Sequence, residues 1–199
     1  MTAGDIDGDG DLDLFIGQYK QPYVKGQMPT PYYDANDGYP AYLLQNNGSG
    51  IFTDITERAG LGQKRFRRSY GASFVDLNED GKFDLLVSSD FAGIDIYEGN
   101  GHGMFKEVTN GWIDQRHTFG MSHVFADFNT DGKLDFFSVG MSSTTGRRLE
   151  LMGLGRDEHK HIDVMRSPMS YGNRLYFATE SGFEQPSFND QVSRTGWSW

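Results

Sequence analysis

The sequence predicts an all-β chain: a partial β-propeller of about three four-stranded blades with a short helical insertion. Three observations predict it. A nine-residue acidic motif occurs three times, each copy is flanked by short apolar runs bounded by Gly and Asn, and an Asn-Gly turn motif follows the first two copies. Composition agrees, since 26 glycines, 10 tyrosines and 15 phenylalanines among 199 residues suit many short strands and tight turns.

The first acidic copy is Asp5-Ile6-Asp7-Gly8-Asp9-Gly10-Asp11-Leu12-Asp13. It returns as Asp76-Leu77-Asn78-Glu79-Asp80-Gly81-Lys82-Phe83-Asp84 and as Asp127-Phe128-Asn129-Thr130-Asp131-Gly132-Lys133-Leu134-Asp135. The second motif, Asn47-Gly48-Ser49-Gly50-Ile51-Phe52-Thr53-Asp54-Ile55-Thr56, recurs as Asn100-Gly101-His102-Gly103-Met104-Phe105-Lys106-Glu107-Val108-Thr109, with a weaker echo at Glu180-Ser181-Gly182-Phe183-Glu184. In the second repeat, Gly71 to Val75 reads as a strand, the acidic loop turns the chain, and Phe83 to Ser88 runs back. Gly93 to Glu98 and Met104 to Val108 supply the third and fourth strands on either side of the Asn100-Gly101 turn. Four antiparallel strands per repeat of about 50 residues make one blade, because radial packing protects the sheet edges.

Residues 1–199 therefore read as part of one propeller, with blades built on loops 5–13, 76–84 and 127–135. Two insertions interrupt it. Residues 18–40 hold Tyr19, Tyr23, Tyr32, Tyr33 and Tyr39 among four prolines and read as a long, partly extended loop. Tyrosine with proline suits a carbohydrate or peptide platform, or the covering of a neighbouring blade's edge. In residues 142–171, the stretch Thr145 to Leu154 reads as a short helix with Leu149, Met152 and Leu154 on one side. Three loops fall short of the roughly 4 to 8 blades that close a propeller. The strand ahead of the first loop is barely present, and Arg194 to Trp199 occupies the place of Arg68-Ser69-Tyr70-Gly71 ahead of the second, so both ends are expected to be cut.

Charge and composition exclude several functions. A net charge of −10 without a basic stripe argues against nucleic acid. The absence of cysteine excludes a disulfide framework, a thiol nucleophile and a thiolate zinc site. No apolar run approaches the ~20 residues of a membrane-spanning helix, and no basic-then-apolar leader opens the sequence, which reads as soluble.

The acidic loops point to calcium, a hard cation that takes six to eight oxygens at about 2.3 to 2.6 Å. Positions 1, 3, 5 and 9 offer side-chain oxygens: Asp5, Asp7, Asp9 and Asp13; Asp76, Asn78, Asp80 and Asp84; Asp127, Asn129, Asp131 and Asp135. Position 7, which is Asp11, Lys82 or Lys133, is free to vary if its backbone carbonyl is the ligand. Position 6 is always glycine, as a turn with positive φ requires. Positions 2 and 8 are always apolar, so the loop is expected to be pinned to the core at both ends. Turn-forming propensity alone would favour Asp, Asn and Gly, but three or four ligand carboxylates within nine residues repel one another unless a cation is present. An EF-hand fails, because position 12 is Ile16, Val87 or Ser138 instead of a bidentate Glu, and both flanks are strands. Magnesium resists dehydration and seldom uses an all-protein cage, so about three Ca²⁺ ions are expected.

These loops, the Tyr70-Gly71-Ala72-Ser73 and Phe119-Gly120-Met121-Ser122 segments ahead of two of them, and the Asn-Gly-x-Gly-x-Phe turns resemble the FG-GAP/VCBS repeats of integrin α-subunit-type propellers and their bacterial secreted relatives. The resemblance covers nearly the whole chain apart from the two insertions. It implies an extracellular or periplasmic seven-bladed calcium-binding propeller used for binding. It also implies that positions 1, 3, 5, 7 and 9 of each loop, the fifteen residues named above, bind Ca²⁺.

Other candidate chemistry is sparse. His159-Lys160-His161 beside Asp157 and Glu158 lacks an identifiable third ligand and reads as a solvated charge cluster, while His102, His117 and His123 read as structural. Asn47-Gly48-Ser49 is formally a glycosylation acceptor but is also the repeat's turn. No nucleophile elbow, phosphate loop or dinucleotide fingerprint appears. The expectation is a non-enzymatic binding or adhesion module for an extracellular protein or glycan. The alternative is a fragment of a propeller lyase or hydrolase acting on polysaccharide, which would need acid and base groups converging outside the metal loops.

Overall fold

The computed structural model describes residues 1–19, 33–154 and 160–194. Twelve strands among these residues form three antiparallel four-stranded sheets. The first contains β1 (Thr2–Gly4), β2 (Asp13–Ile16), β3 (Tyr42–Asn46) and β4 (Phe52–Asp54). The second contains β5 (Arg68–Val75), β6 (Asp84–Asp90), β7 (Gly93–Gly99) and β8 (Phe105–Glu107). The third contains β9 (Gly120–Ala126), β10 (Asp135–Gly140), β11 (Arg174–Thr179) and β12 (Gly182–Glu184). Each sheet is a meander in chain order, with the acidic loop joining its first two strands. The sheets succeed one another, β1 lying against β5, and β5 and β6 against β9. This is the partial all-β, propeller-like architecture that the repeats predict.

The central sheet shows why the chain folds this way. Every residue of β6 is buried, because both of its faces meet another sheet. Alternation divides them: Leu85 and Val87 join Phe15, Leu43 and Ile55 of the first sheet, while Leu86 joins Phe136, Tyr176 and Phe183 of the third. Full burial of each such side chain contributes roughly 1.5–3 kcal/mol. β5 begins three residues before the expected Gly71, since pairing continues beyond a bulge at Tyr70 to Ser69↔Ser89 and Arg68↔Asp90. β9 skips Met121 in the same way, and Met121 precedes its acidic loop by the same number of residues as Tyr70.

Polar groups also fasten the sheets. Thr56 and Thr109, which close the two Asn-Gly motifs, are buried and accept the amides of Leu43 (2.8 Å) and Ile96 (2.9 Å). The fully buried Asp95 of β7 meets Lys64 at 2.7 Å, Arg67 at 3.2 Å and Arg116. Burial alone would raise its pKa, but the three cations outweigh it and hold the carboxyl below the usual range. His123 of β9 lies between the hydroxyls of Ser73 and Ser88, each at 2.8 Å, and burial lowers its pKa to about 4.

The insertions are partly as expected. Of residues 18–40, positions 20–32, including Tyr23 and Tyr32, lie outside the described residues. Tyr19 stacks on Tyr70 of the second sheet at 4.6 Å and donates to Asp90 at 2.8 Å, and Tyr33 packs on Phe119 at 6.2 Å. These two tyrosines therefore cover neighbouring blades. The 142–171 insertion contains α2 (Thr144–Leu151), capped by Ser143, and a second helix α3 (Lys160–Met169). The expected apolar side is corrected: Met152 and Leu154 fall beyond the helix end, and Leu149, Met152 and Leu154 are all exposed. Gly146 instead provides the close contact with the residue that follows α3, where a β-carbon would lie 2.9 Å from Ser170. Two shorter helices, α1 (Thr109–Trp112) and α4 (Asn189–Ser193), follow β8 and β12. Residues 195–199 lie outside the described residues.

Candidate metal centres

The three acidic loops share one hydrogen-bonding scheme. Position 1 organises the turn: Asp5 accepts the amides of Gly8 (2.8 Å), Asp9 (3.2 Å) and Gly10 (3.0 Å). Asp76 accepts those of Asp80 (3.1 Å) and Gly81 (2.8 Å), and Asp127 those of Asp131 (3.1 Å) and Gly132 (2.9 Å). Position 3 adds a second acceptor for the position-5 amide, from Asp7, Asn78 or Asn129. Position 5 in turn accepts the amide of position 7: Asp9 from Asp11, Asp80 from Lys82 and Asp131 from Lys133, at 2.9–3.0 Å. Position 6 has positive φ in every copy, as expected. Position 4 does too, with glycine only in the first loop; Glu79 and Thr130 adopt φ 60°. Those residue types gave no hint of it.

Position 9 has a role that the motif did not reveal. Asp13, Asp84 and Asp135 are buried, and each uses both carboxylate oxygens on backbone amides. One amide belongs to position 2 of the same loop: Ile6 at 3.2 Å, Leu77 at 3.0 Å and Phe128 at 2.9 Å. The other belongs to the third strand of the sheet: Asn46 at 2.8 Å, Gly99 at 2.9 Å and Ala178 at 2.8 Å. Because this carboxylate takes the inward position, its position-8 neighbour faces away. Leu12 is 60% exposed and Phe83 39%, so the pinning expected at both loop ends is corrected. At position 2, Ile6 and Leu77 are buried, whereas Phe128 is 44% exposed.

The loops differ in how far they gather charge. In the first, ligand oxygens of Asp5, Asp7 and Asp13 lie within 4.8 Å of one another, the one such carboxylate triplet among the described residues; Asp9 stands outside it. Burial raises the pKa of Asp13 against the opposing Asn46 and Ile6 amides, and Asp7 and Asp9 add like-charge repulsion. In the second, burial lifts Asp84 to about 6, while Lys82 reaches Asp80 at 2.8 Å and lowers the pKa of that exposed carboxyl. In the third, the Lys133 amide and then Asn129 lower the pKa of Asp131. Asparagine at position 3 removes one carboxylate from each of these two loops.

Residues 5–87 and, overlapping them, residues 76–138 match the family model of the FG-GAP-like repeat. The chain belongs to that family. It is also similar to cartilage acidic protein 1 of Xenopus tropicalis, with 28% identity over 135 residues that cover 62% of this chain and 19% of the relative. The chain thus spans about a fifth of the length of the curated relative it matches. The two FG-GAP-like matches contain all three acidic loops and all fifteen candidate ligand positions.

Elsewhere, the Asn-Gly turns of these repeats are built as expected. Asn47 accepts the amides of Ser49 (3.0 Å) and Ile51 (3.2 Å), and Asn100 those of His102 (2.8 Å) and Met104 (3.2 Å). The Asn47 Oδ1 is thereby occupied by the turn. His159, Asp157 and Glu158, and the side chains of Lys160 and His161, lie outside the described residues. No helix among the described residues is long and apolar enough to cross a membrane.

Proposed function

We propose that this chain is a calcium-binding propeller module that presents its surface to an extracellular protein or glycan partner, in adhesion or related binding, without catalysing a reaction. The carrying observation is the convergence of Asp5, Asp7 and Asp13 within 4.8 Å. Three carboxylates held so closely by the fold, one of them with its pKa raised, form an oxygen-only donor set suited to a hard divalent cation. Asp9 and the backbone of Asp11 complete the candidate set in the first loop. Asp76, Asn78, Asp80, Lys82 and Asp84, then Asp127, Asn129, Asp131, Lys133 and Asp135, form the same sets in the others, with the lysines contributing their carbonyls. A bound cation would supply charge neutralisation, and the loop residues would hold it against the folded state alone, which stabilises that state.

Extracellular or periplasmic use is part of the same reading. Loops of this kind in extracellular modules bind with Kd of roughly 10⁻⁴ to 10⁻³ M, which cytosolic calcium would leave empty. A relative whose name joins cartilage and acidity suits that setting and this chain's charge of −10. Binding is favoured over a polysaccharide lyase or hydrolase because the buried titratable groups described have other partners. Asp95 is engaged by three cations, Asp90 by Tyr19 through Oδ2, with its Oδ1 left unpartnered, and His123 by two serines.

Calorimetric titration of chelator-treated protein tests the metal half, with three calcium sites expected. Fewer than two, or tighter binding of Mg²⁺ than Ca²⁺, refutes it. Polysaccharide arrays scored for both retention and product release test the rest, since product release would identify an enzyme.

A further inference from the structure

A groove of about 420 Å³ opens between the second and third sheets, at the end where the acidic loops lie. Its volume falls within the range of ligand sites. The repeat explains why it exists. Between the first and second sheets the corresponding space is filled by the Asn100–Met104 turn, whose Gly103 amide donates to Ile6 of the first loop at 3.0 Å. Five residues separate the equivalent staples Gly99 and Phe105, but only four separate Ala178 and Phe183. Pairing in the third sheet continues to Thr179↔Gly182, leaving a tight hairpin with Glu180 and Ser181 at its tip. Beneath the shorter turn, the buried Leu77 of the second loop forms part of the groove wall. The repeat position that holds the buried Ala59 in the first sheet holds Trp112 in the second, and Trp112 lines this groove.

The lining has a distinct chemistry. Leu77, Trp112, Leu134 and Phe183 give it apolar walls, and Glu79, Glu98 and Glu180 set three carboxylates around them against one ammonium, Lys133. We propose that this groove receives a basic side chain, preferably arginine, from a partner protein. An aromatic wall beside an excess of carboxylates suits a guanidinium, which stacks on indole through its face and donates to carboxylates from its edge. The chain's overall negative charge attracts basic partners to the same site. The inference rests on the reading of this chain as a binding module and names the chemistry of what it binds.

The test is an NMR titration of the isotopically labelled full chain with the peptide acetyl-Gly-Arg-Gly-amide. Its citrulline analogue and maltotriose serve as neutral probes. Expected are shifts in the Trp112 indole N–H, assigned through Trp112→Phe, and in the amides of Thr179 to Gly182. The double variant E98Q/E180Q should weaken binding at least tenfold. Grafting the Asn100–Met104 turn between Ala178 and Phe183 should fill the groove and abolish binding while leaving every rim carboxylate except Glu180 in place. Equal binding of the citrulline peptide, shifts confined to other regions, or binding of maltotriose in place of the arginine peptide would overturn the proposal. Titrations run in calcium and in chelator separate it from the metal reading. Calcium uptake without peptide binding overturns the groove site alone, and peptide binding without calcium uptake overturns the metal site alone.

Discussion

Replacing Asp135 by alanine removes a fully buried carboxylate that accepts the Phe128 amide at 2.9 Å and the Ala178 amide at 2.8 Å. A buried donor left without an acceptor costs about 1–3 kcal/mol. Both amides here are only partly buried, so the lower half of that range applies to each and the total loss is about 3 kcal/mol. For a chain of this size each kcal/mol moves Tm by roughly 2–4 °C, so Asp135→Ala should melt about 6–12 °C lower. The informative buffer contains chelator, because any contribution from metal is then absent. Asp131→Ala, in the same loop but exposed, should shift Tm by only a few degrees in that buffer. Asp135→Asn retains one acceptor and should recover about half of the loss. Thermal denaturation followed by circular dichroism reads all three variants. If Asp135→Ala and Asp131→Ala lower Tm equally in chelator, position 9 is not a staple and the division of labour within the loop is wrong.

Three further outcomes are expected. Asp80→Ala should cost more stability in millimolar calcium than in chelator, because a ligand of the folded state adds RT ln(1 + [L]/Kd); equal melting shifts would show that the loop works without metal. Asp95→Ala strands Lys64, Arg67 and Arg116 around an empty carboxylate position and should cost about 3–5 kcal/mol in urea unfolding; a loss below about 1 kcal/mol counts against the cluster. His123, with a folded pKa of about 4 against an ordinary 6.5, stays neutral while the unfolded chain protonates, so its contribution is present above pH 6.5 and lost as pH falls toward 4. Relative to His123→Gln, the wild type should lose about 2 kcal/mol between pH 7 and 4.5, and parallel pH profiles for the two proteins would exclude that role.

Strand placement and blade count were legible because the periodic motif fixes where each chain reversal falls. Gly93 to Glu98 differs from the observed β7 by one residue. What escaped was set by partners distant in sequence. The bulges at Tyr70 and Met121 depend on pairing with β6 and β10, and neither residue type announces a bulge. Thr56 and Thr109 stood at the end of a recognised motif, yet their function as acceptors for the third strand appears only once that strand lies beside them. Position 8 misled for a related reason. A run such as Lys82-Phe83-Asp84-Leu85 suggests that the phenylalanine is the buried residue, but the aspartate, satisfied by two amides, takes the interior position. Helix α3 combines charged residues and a proline near its end, a composition with little helical signal.

The position-9 aspartate also links two parts of the blade that the sequence presents as separate motifs. Its second amide partner is Asn46 or Gly99, the last residue of the third strand, or Ala178, one residue before that strand's end, so it stands beside the turn between the third and fourth strands. A carboxylate shared between the acidic loop and that turn makes their positions interdependent, since displacing it strands a donor on both sides. In the first two sheets the turn carries the long Asn-Gly motif. In the second, that turn packs against the preceding sheet; in the third it is the short hairpin that leaves the groove open. Asp135 of the third loop is thus one hydrogen bond from Ala178, which with Thr179 lines the groove. A cation that drew Asp135 toward the loop would bear on the hairpin that carries Glu180. Removal of calcium should then change the environment of the hairpin amides more than that of β10, a difference that amide hydrogen exchange in calcium and in chelator would measure; equal exchange of the two segments in both buffers would show that loop and groove are independent.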